Sequence, residues 1–256
     1  MRSIVSRCTR KALFVGAVLG AFCAPAAAFG QTVGDWRMDE PEGASTMVDS
    51  SSNGFDGALH GAVTTGRFAG ASGVAGDLAY QFNDGTSCSG NVTTGTGYAV
   101  VTGGASGVST PSQPTFNPGT QAFTVSAWVN TTAKAGGGIC DFDLIRKGSS
   151  WKVEIFPFNG VAQPNCIWKG KLNGTTPKVA LHALLPAGGI NDGTWHQITC
   201  ARTASGEALI VDGRTLATSG TNVGSISNKA NVFVGAQQAG ADFYIGLLDD
   251  VEFSIG

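Results

Sequence analysis

Residues 123–129 read Phe123-Thr124-Val125-Ser126-Ala127-Trp128-Val129, and this stretch decides the fold. Phe123, Val125, Ala127 and Val129 fall on one face of an extended chain, with Thr124, Ser126 and Trp128 on the other. A period of two is the mark of a strand with one side on a core. The same alternation recurs outward from it. Trp195-His196-Gln197-Ile198-Thr199-Cys200 is a second strand. Leu209-Ile210-Val211 runs into Asp212-Gly213, a pair that tolerates positive φ and so closes a hairpin. Asn231–Gly235 and a last strand through Gly246-Leu247-Leu248-Asp249-Asp250-Val251-Glu252-Phe253 complete the set. Clusters of Gly, Asn, Asp, Ser and Thr separate these segments, and no run has helical periodicity. With 38 glycines and 13% charged residues, the chain reads as all-β. Thr102–Gly119 and Ala133–Gly138 read as exposed loops. No domain boundary and no fixed-period repeat is visible, so one β-sandwich is expected.

In the last strand, Ile245, Leu247, Val251 and Phe253 alternate, and by that count Asp249 shares their inward face. A carboxylate facing an apolar layer is costly unless hydrogen-bonded or bound to a cation. Asp249 is therefore expected to mark an ion or hydrogen-bond site.

The N-terminus reads as an export signal. Arg2, Arg7, Arg10 and Lys11 precede an apolar run, Ala12–Phe22, and the small residues Ala26-Ala27-Ala28. The run is too short to span a bilayer comfortably, which favours a cleaved signal over residues 1–28 rather than a membrane anchor. Cys23 follows Phe22, which disfavours a lipoprotein site. The expected product, residues 29–256, is a single secreted, extracellular domain with no membrane span. Its 12 basic and 18 acidic residues give a net charge of −6. A mildly acidic chain with scattered lysines excludes nucleic acid as a partner.

Four cysteines follow the signal: Cys88, Cys140, Cys166 and Cys200. An even count in an exported chain favours two disulfides, and three pairings are open. The absence of C-x-x-C argues against zinc.

Five ordered segments resemble the laminin G-like domains of the concanavalin A-like lectin/glucanase superfamily. They are Trp36–Glu40, Asp49–Gly57, Phe123–Val129, Asp192–His196 with Leu209–Gly213, and Ile245–Phe253. The resemblance covers about Trp36 to Gly256 and implies a jelly-roll of two packed antiparallel sheets. Cys166 and Cys200 are similar to a cysteine pair of many secreted bacterial members, which implies Cys166–Cys200 and leaves Cys88–Cys140 as the second bridge. Related jelly-rolls place a calcium where the N-terminal strand, a glycine-rich loop and a last-strand aspartate meet. Carried onto this chain, that implies a Ca²⁺ site of Asp39, the Gly57 carbonyl and Asp249, in keeping with calcium's demand for mixed carboxylate and carbonyl oxygens.

Three functions come into view: a binding or adhesion module for a glycan or another cell-surface or matrix component, a glycoside hydrolase, and a structural exported protein. Hydrolysis needs two carboxylates flanking the bond, which the superfamily's glucanases present as E-x-D-x-E. The five glutamates, Glu40, Glu42, Glu154, Glu207 and Glu252, never fall in that spacing. Asp141-Phe142-Asp143, beside Cys140 in a glycine-rich stretch, reads as a solvated loop. There is no G-x-S-x-G and no H-E-x-x-H, and His60, His182 and His196 have no evident nucleophilic partner. His196 shares a face with Ile198 and reads as a hydrogen-bonded core histidine. Trp128 reads as packing between sheets or under a loop. Trp151 and Trp168 flank the most irregular region and are the candidate exposed sugar platforms, although aromatics also dominate ordinary cores. The expected function is a non-catalytic binding module, with any Ca²⁺ structural.

Overall fold

A computed structural model describes residues 30–84, 88–89, 92–93, 95–101, 115–133, 141–186, 188–238 and 241–256. The export signal and the Cys88–Cys140 pairing lie outside the described residues, and so do positions 134–138 of the second expected loop. Strands run in chain order as β1 (Gln31–Trp36), β2 (Thr46–Met47), β3 (Gly57–His60), β4 (Val63–Ala69), β5 (Leu78–Phe82), β6 (Cys88–Ser89), β7 (Val92–Thr93), β8 (Tyr98–Val101) and β9 (Phe123–Asn130). They continue as β10 (Phe142–Lys147), β11 (Trp151–Phe158), β12 (Val161–Lys169), β13 (Lys178–His182), β14 (His196–Thr203), β15 (Gly206–Val211), β16 (Arg214–Ser219), β17 (Val232–Val234) and β18 (Gly246–Ile255). The first sheet has the order β16-β15-β14-β9-β18-β5-β4, with β1 also paired to β18. The second runs β13-β12-β11-β10-β17-β8-β3-β2, and β6 and β7 form a small separate pair. No helix interrupts the described residues, and the two antiparallel sheets pack as a jelly-roll sandwich.

The alternation that predicted β9 holds at every position. Phe123, Val125, Ala127 and Val129 are buried in the core, and Thr124, Ser126, Trp128 and Asn130 are half-exposed. Val153, Ile155 and Cys166 of the second sheet belong to the same core. Cys166 on β12 and Cys200 on β14 are joined by a disulfide with Cα atoms 5.6 Å apart, so one covalent bond ties the two sheets together.

Two expectations change. Of the stretch read as an exposed loop, Thr102–Gly119, positions 102–114 lie outside the described residues, and positions 115–118 are buried. Phe116 is fully buried, with its ring against Trp36, Phe55 and Phe253. In β18 the phase of the alternation breaks. Leu248 pairs with buried Val129, Asp249 pairs with Trp128, and the register shifts between Asp249 and Glu252 at Asp250, whose φ is +43°. This bulge resets the count. Leu248, Val251, Phe253 and Ile255 face the core, and Asp249 lies on the opposite side of the first sheet.

The motif segments are structural fastenings. The Asp49 carboxylate accepts hydrogen bonds from the backbone N–H of Asp35, Ser51 and Phe55 and from the Ser51 hydroxyl. Trp36 Nε1 donates to the Phe55 carbonyl at 2.8 Å. His196 Nδ1 lies 2.8 Å from Asp212 Oδ2, while Asp212 Oδ1 accepts the Gln197 N–H, so this histidine pins a hairpin turn.

Candidate functional site

Opposed residues of an antiparallel pair share a face. In the second sheet Arg146 opposes Lys152, Lys152 opposes Ile167, and Lys169 opposes Lys178. Trp151, Val153 and Trp168 point into the core. Arg146, Lys152, Ile167, Lys169 and Lys178 therefore line the outer face of β10–β13. Glu154, Asn165 and His182 follow them one row further along it.

That second row holds a buried charge cluster. Carboxylate oxygens of Asp141, Asp143 and Glu154 all lie within 4.8 Å of one another. Lys152 Nζ is 3.2 Å from Asp141, 3.3 Å from Asp143, and in contact with Glu154. Arg146 Nη1 donates to Asp143 Oδ2 at 2.8 Å, and Asn165 Nδ2 donates to Glu154 Oε1 at 2.5 Å. The Gln237 amide, with its oxygen toward Arg146 and its nitrogen toward Asp242, closes the group. Burial pushes the Glu154 carboxyl up to about 8, with Lys152 opposing the shift and Asp143 adding to it. Burial and the neighbouring Asp141 and Asp143 push Asp242 up to about 7. Burial disfavours a charged Lys152, yet the three acids hold its ammonium protonated. The spacing of the acids is one a metal could bridge, but the Lys152 ammonium already stands among them as their cation.

Asp141-Phe142-Asp143 is thus not a solvated loop. Asp143 lies on β10, fully buried beside a register shift between Asp143 and Ile145. The reading missed it because the shared countercharge, Lys152, comes from the neighbouring strand β11, which local composition does not connect to it.

Beside this cluster a pocket of about 200 Å³ opens, lined by Arg146, Gly148, Ser149, Trp151, Lys152, Ile167, Lys169 and Lys178. Four of its eight lining residues are cations and none is an acid. Arg146 and Lys152 form its charged floor and bond backward to the acids, and Arg146 Nε also donates to the Gly148 carbonyl at 2.6 Å. Among the described residues, no carboxylate is ion-paired with Lys169 or Lys178.

Trp151 and Trp168 are not exposed platforms, because each is 1% exposed. Trp151 borders the pocket, but its ring stacks 5.0 Å from Phe253 and its Nε1 donates to the Phe116 carbonyl. The two tryptophans oppose each other across β11 and β12 on the inward face, where burying large rings stabilises the sandwich.

Of the residues expected to hold calcium, Asp249 meets the 70–77 loop and Asp39 meets the first residue of β5, which follows it. Asp39 Oδ1 accepts the Leu78 N–H, and Asp249 Oδ2 accepts the Ala71 N–H at 2.7 Å. A Cβ on Gly70 would come within 2.6 Å of Asp77 Oδ2 and 2.7 Å of Asp249 Oδ2, so these two carboxylates converge there. Burial pushes Asp249 up to about 7, with Asp250 and Asp77 adding to the shift. Gly57 does not fit the set. It lies in the second sheet, between Met47 and Val101, with Met47 and Ala99 against its Cα. The glycine-rich element at Asp249 is the 70–77 loop, which the reading did not single out.

The two antiparallel sheets form a jelly-roll sandwich with a cation-lined pocket on one sheet's outer face. A laminin G family profile, described as the Concanavalin A-like lectin/glucanases superfamily, matches residues 102–254, more than half of the chain, and the chain belongs to that family. Solved structures of similar fold include the Botulinum Neurotoxin Type G Receptor Binding Domain, at 12% identity and a TM-score of 0.53 over 88% of this chain and 48% of that one. The binding domain of Botulinum Neurotoxin DC in complex with SialylT is 13% identical, with a TM-score of 0.52 over 85% of this chain and 48% of that one. Domain 4 of AbnA, a GH43 extracellular arabinanase from Geobacillus stearothermophilus, in complex with arabinotriose, is 15% identical, with a TM-score of 0.52 over 88% of this chain and 93% of that one. The chain spans about half the length of the neurotoxin chains and nearly all of the arabinanase domain. At these identities the likeness is one of fold. No curated protein matches the chain by sequence.

Proposed function

We propose that the chain is an exported, non-catalytic binding module that takes a glycan, or another cell-surface or matrix component, in the pocket at the outer ends of β10–β13. The pocket carries this reading. Four cationic side chains converge on a concave, mostly apolar pocket in a sheet tied to its partner by a disulfide, and a few charged groups in an apolar concavity are what orients a small ligand. The similar arabinanase domain in complex with arabinotriose supports a sugar ligand for this fold. The buried acids argue against hydrolysis. Catalytic carboxylates must reach the scissile bond, whereas Asp143 and Glu154 are 0% and 1% exposed and have Lys152 between them. Export is supported by the basic and apolar N-terminal segment, whose product would carry the Cys166–Cys200 bridge. Calcium belongs to this proposal as a stabiliser at Asp39 and Asp249, where acids converge on the 70–77 loop. The test is a glycan array probed with residues 29–256, followed by mapping of the bound sugar on backbone amides. Shifts clustered at 146–152, 167–169 and 178–180 are expected.

A further inference from the structure

The pocket has a charge problem that the fold leaves unsolved. Lys169 and Lys178 stand directly opposite each other across β12 and β13, and both line the pocket. Opposed side chains of an antiparallel pair have Cβ atoms about 4.5–5.5 Å apart, and like charges there destabilise the sheet. No described carboxylate is ion-paired with either lysine. The chain has acids to spare, with 18 against 16 basic residues, yet none enters this pocket. Behind it, Arg146 and Lys152 are held in place by Asp143, Asp141 and Glu154. The acids position two cations at the floor, and the rim supplies two more.

From this arrangement we infer that the pocket binds an oxyanion carried on a sugar, a carboxylate or a sulfate ester, with Lys169 and Lys178 as its direct cationic contacts and the Arg146–Lys152 pair beneath. The inference rests on the binding-module reading and narrows its ligand to acidic glycans. The ammonium groups of Lys169 and Lys178, with which no described carboxylate is ion-paired, suit a charged oxygen cluster better than a neutral ring. The site is one compact pocket on an acidic chain. A nucleic-acid surface would instead extend basic residues along a strand or helix.

Lys169→Glu separates this inference from a merely structural role, because the two predict opposite signs. The introduced carboxylate would face Lys178 and turn a repulsive cross-strand pair into an attractive one. Thermal stability is expected to rise while anion binding falls. Wild type and variant would be melted in sodium sulfate and in sodium chloride at equal ionic strength. The wild type should gain more from sulfate than the variant, since sulfate's general salting effect is common to both. Titrations would then compare a glucuronic-acid tetrasaccharide, a sulfated tetrasaccharide and the carboxyl-reduced neutral tetrasaccharide. The acidic sugars should bind the wild type roughly tenfold or more tightly than the neutral one, weaken with salt, and lose that advantage in the variant. A preference for the carboxylated or the sulfated sugar identifies the source of the oxyanion. Neutral and acidic sugars binding equally would overturn the inference and leave the binding module standing. No binding of any sugar, with equal sulfate gains in both proteins, would overturn both. Equal acidic-sugar affinity in wild type and variant would place the anion elsewhere and overturn this pocket.

Discussion

Asp249 and Lys147 show how single side chains record the fold's compromises. Asp249 is fully buried, and burial and nearby acids raise its carboxyl to about 7. A cation seated between Asp249 and Asp77 would relieve that cost. Melting of the oxidised protein in EDTA and then in Ca²⁺ should show a higher midpoint with calcium, equivalent to about 2.7 kcal/mol at a hundredfold excess over Kd. The gain should vanish in Asp249→Ala, and an unchanged midpoint in the wild type would remove calcium from the account. Lys147 is the opposite case. It is fully buried, its Nζ donates to the Ala230 carbonyl at 2.6 Å, and burial pushes it down to about 8. An unfolded lysine titrates near 10.4, so between about 8 and 10.4 the folded chain holds fewer protons than the unfolded one. Stability attributable to Lys147 therefore rises with pH across that window, and below it the cost of charging the buried amine is felt in full. Urea unfolding at about pH 7.5 and 9.5 should show a gain in the wild type that is absent in Lys147→Met, and parallel behaviour would contradict the assignment.

Among elements, β9 was legible because nothing disturbs its alternation, and Asp212-Gly213 because both residues take the positive φ that the turn requires, +50° and +75°. The last strand was legible as a strand but not in its phase. The bulge at Asp250 depends on a non-glycine residue at φ +43°, which a periodicity count does not register. Asp141 and Asp143 were misread for a related reason. Their shared countercharge, Lys152, sits on the next strand, and only the β10–β11 register brings it alongside them. The pocket was illegible until β10–β13 were aligned, since its cations are spread from Arg146 to Lys178. The Cys166–Cys200 bridge joins β12 to β14 across a separation of 34 residues. Closing a loop of that size in the unfolded chain is worth about 3–4 kcal/mol. The Cys166→Ser/Cys200→Ser protein should lose about that much in chemical denaturation, and an unchanged midpoint would show that the sheets need no covalent tie.

At the scale of the whole molecule, one sheet is fastened and the other presents. Asp49, Trp36 and His196 secure the loops and hairpins around the first sheet, while the second sheet's outer face carries a buried acid row and an open cationic pocket. That division suits a protein that holds a ligand on a rigid surface rather than one that transforms it. The most direct measurement is amide chemical-shift mapping of isotopically labelled residues 29–256 titrated with the glucuronic-acid tetrasaccharide. The account predicts saturable shifts clustered at 146–152, 167–169 and 178–180. Saturable shifts clustered on the first sheet, or none at all, would contradict it.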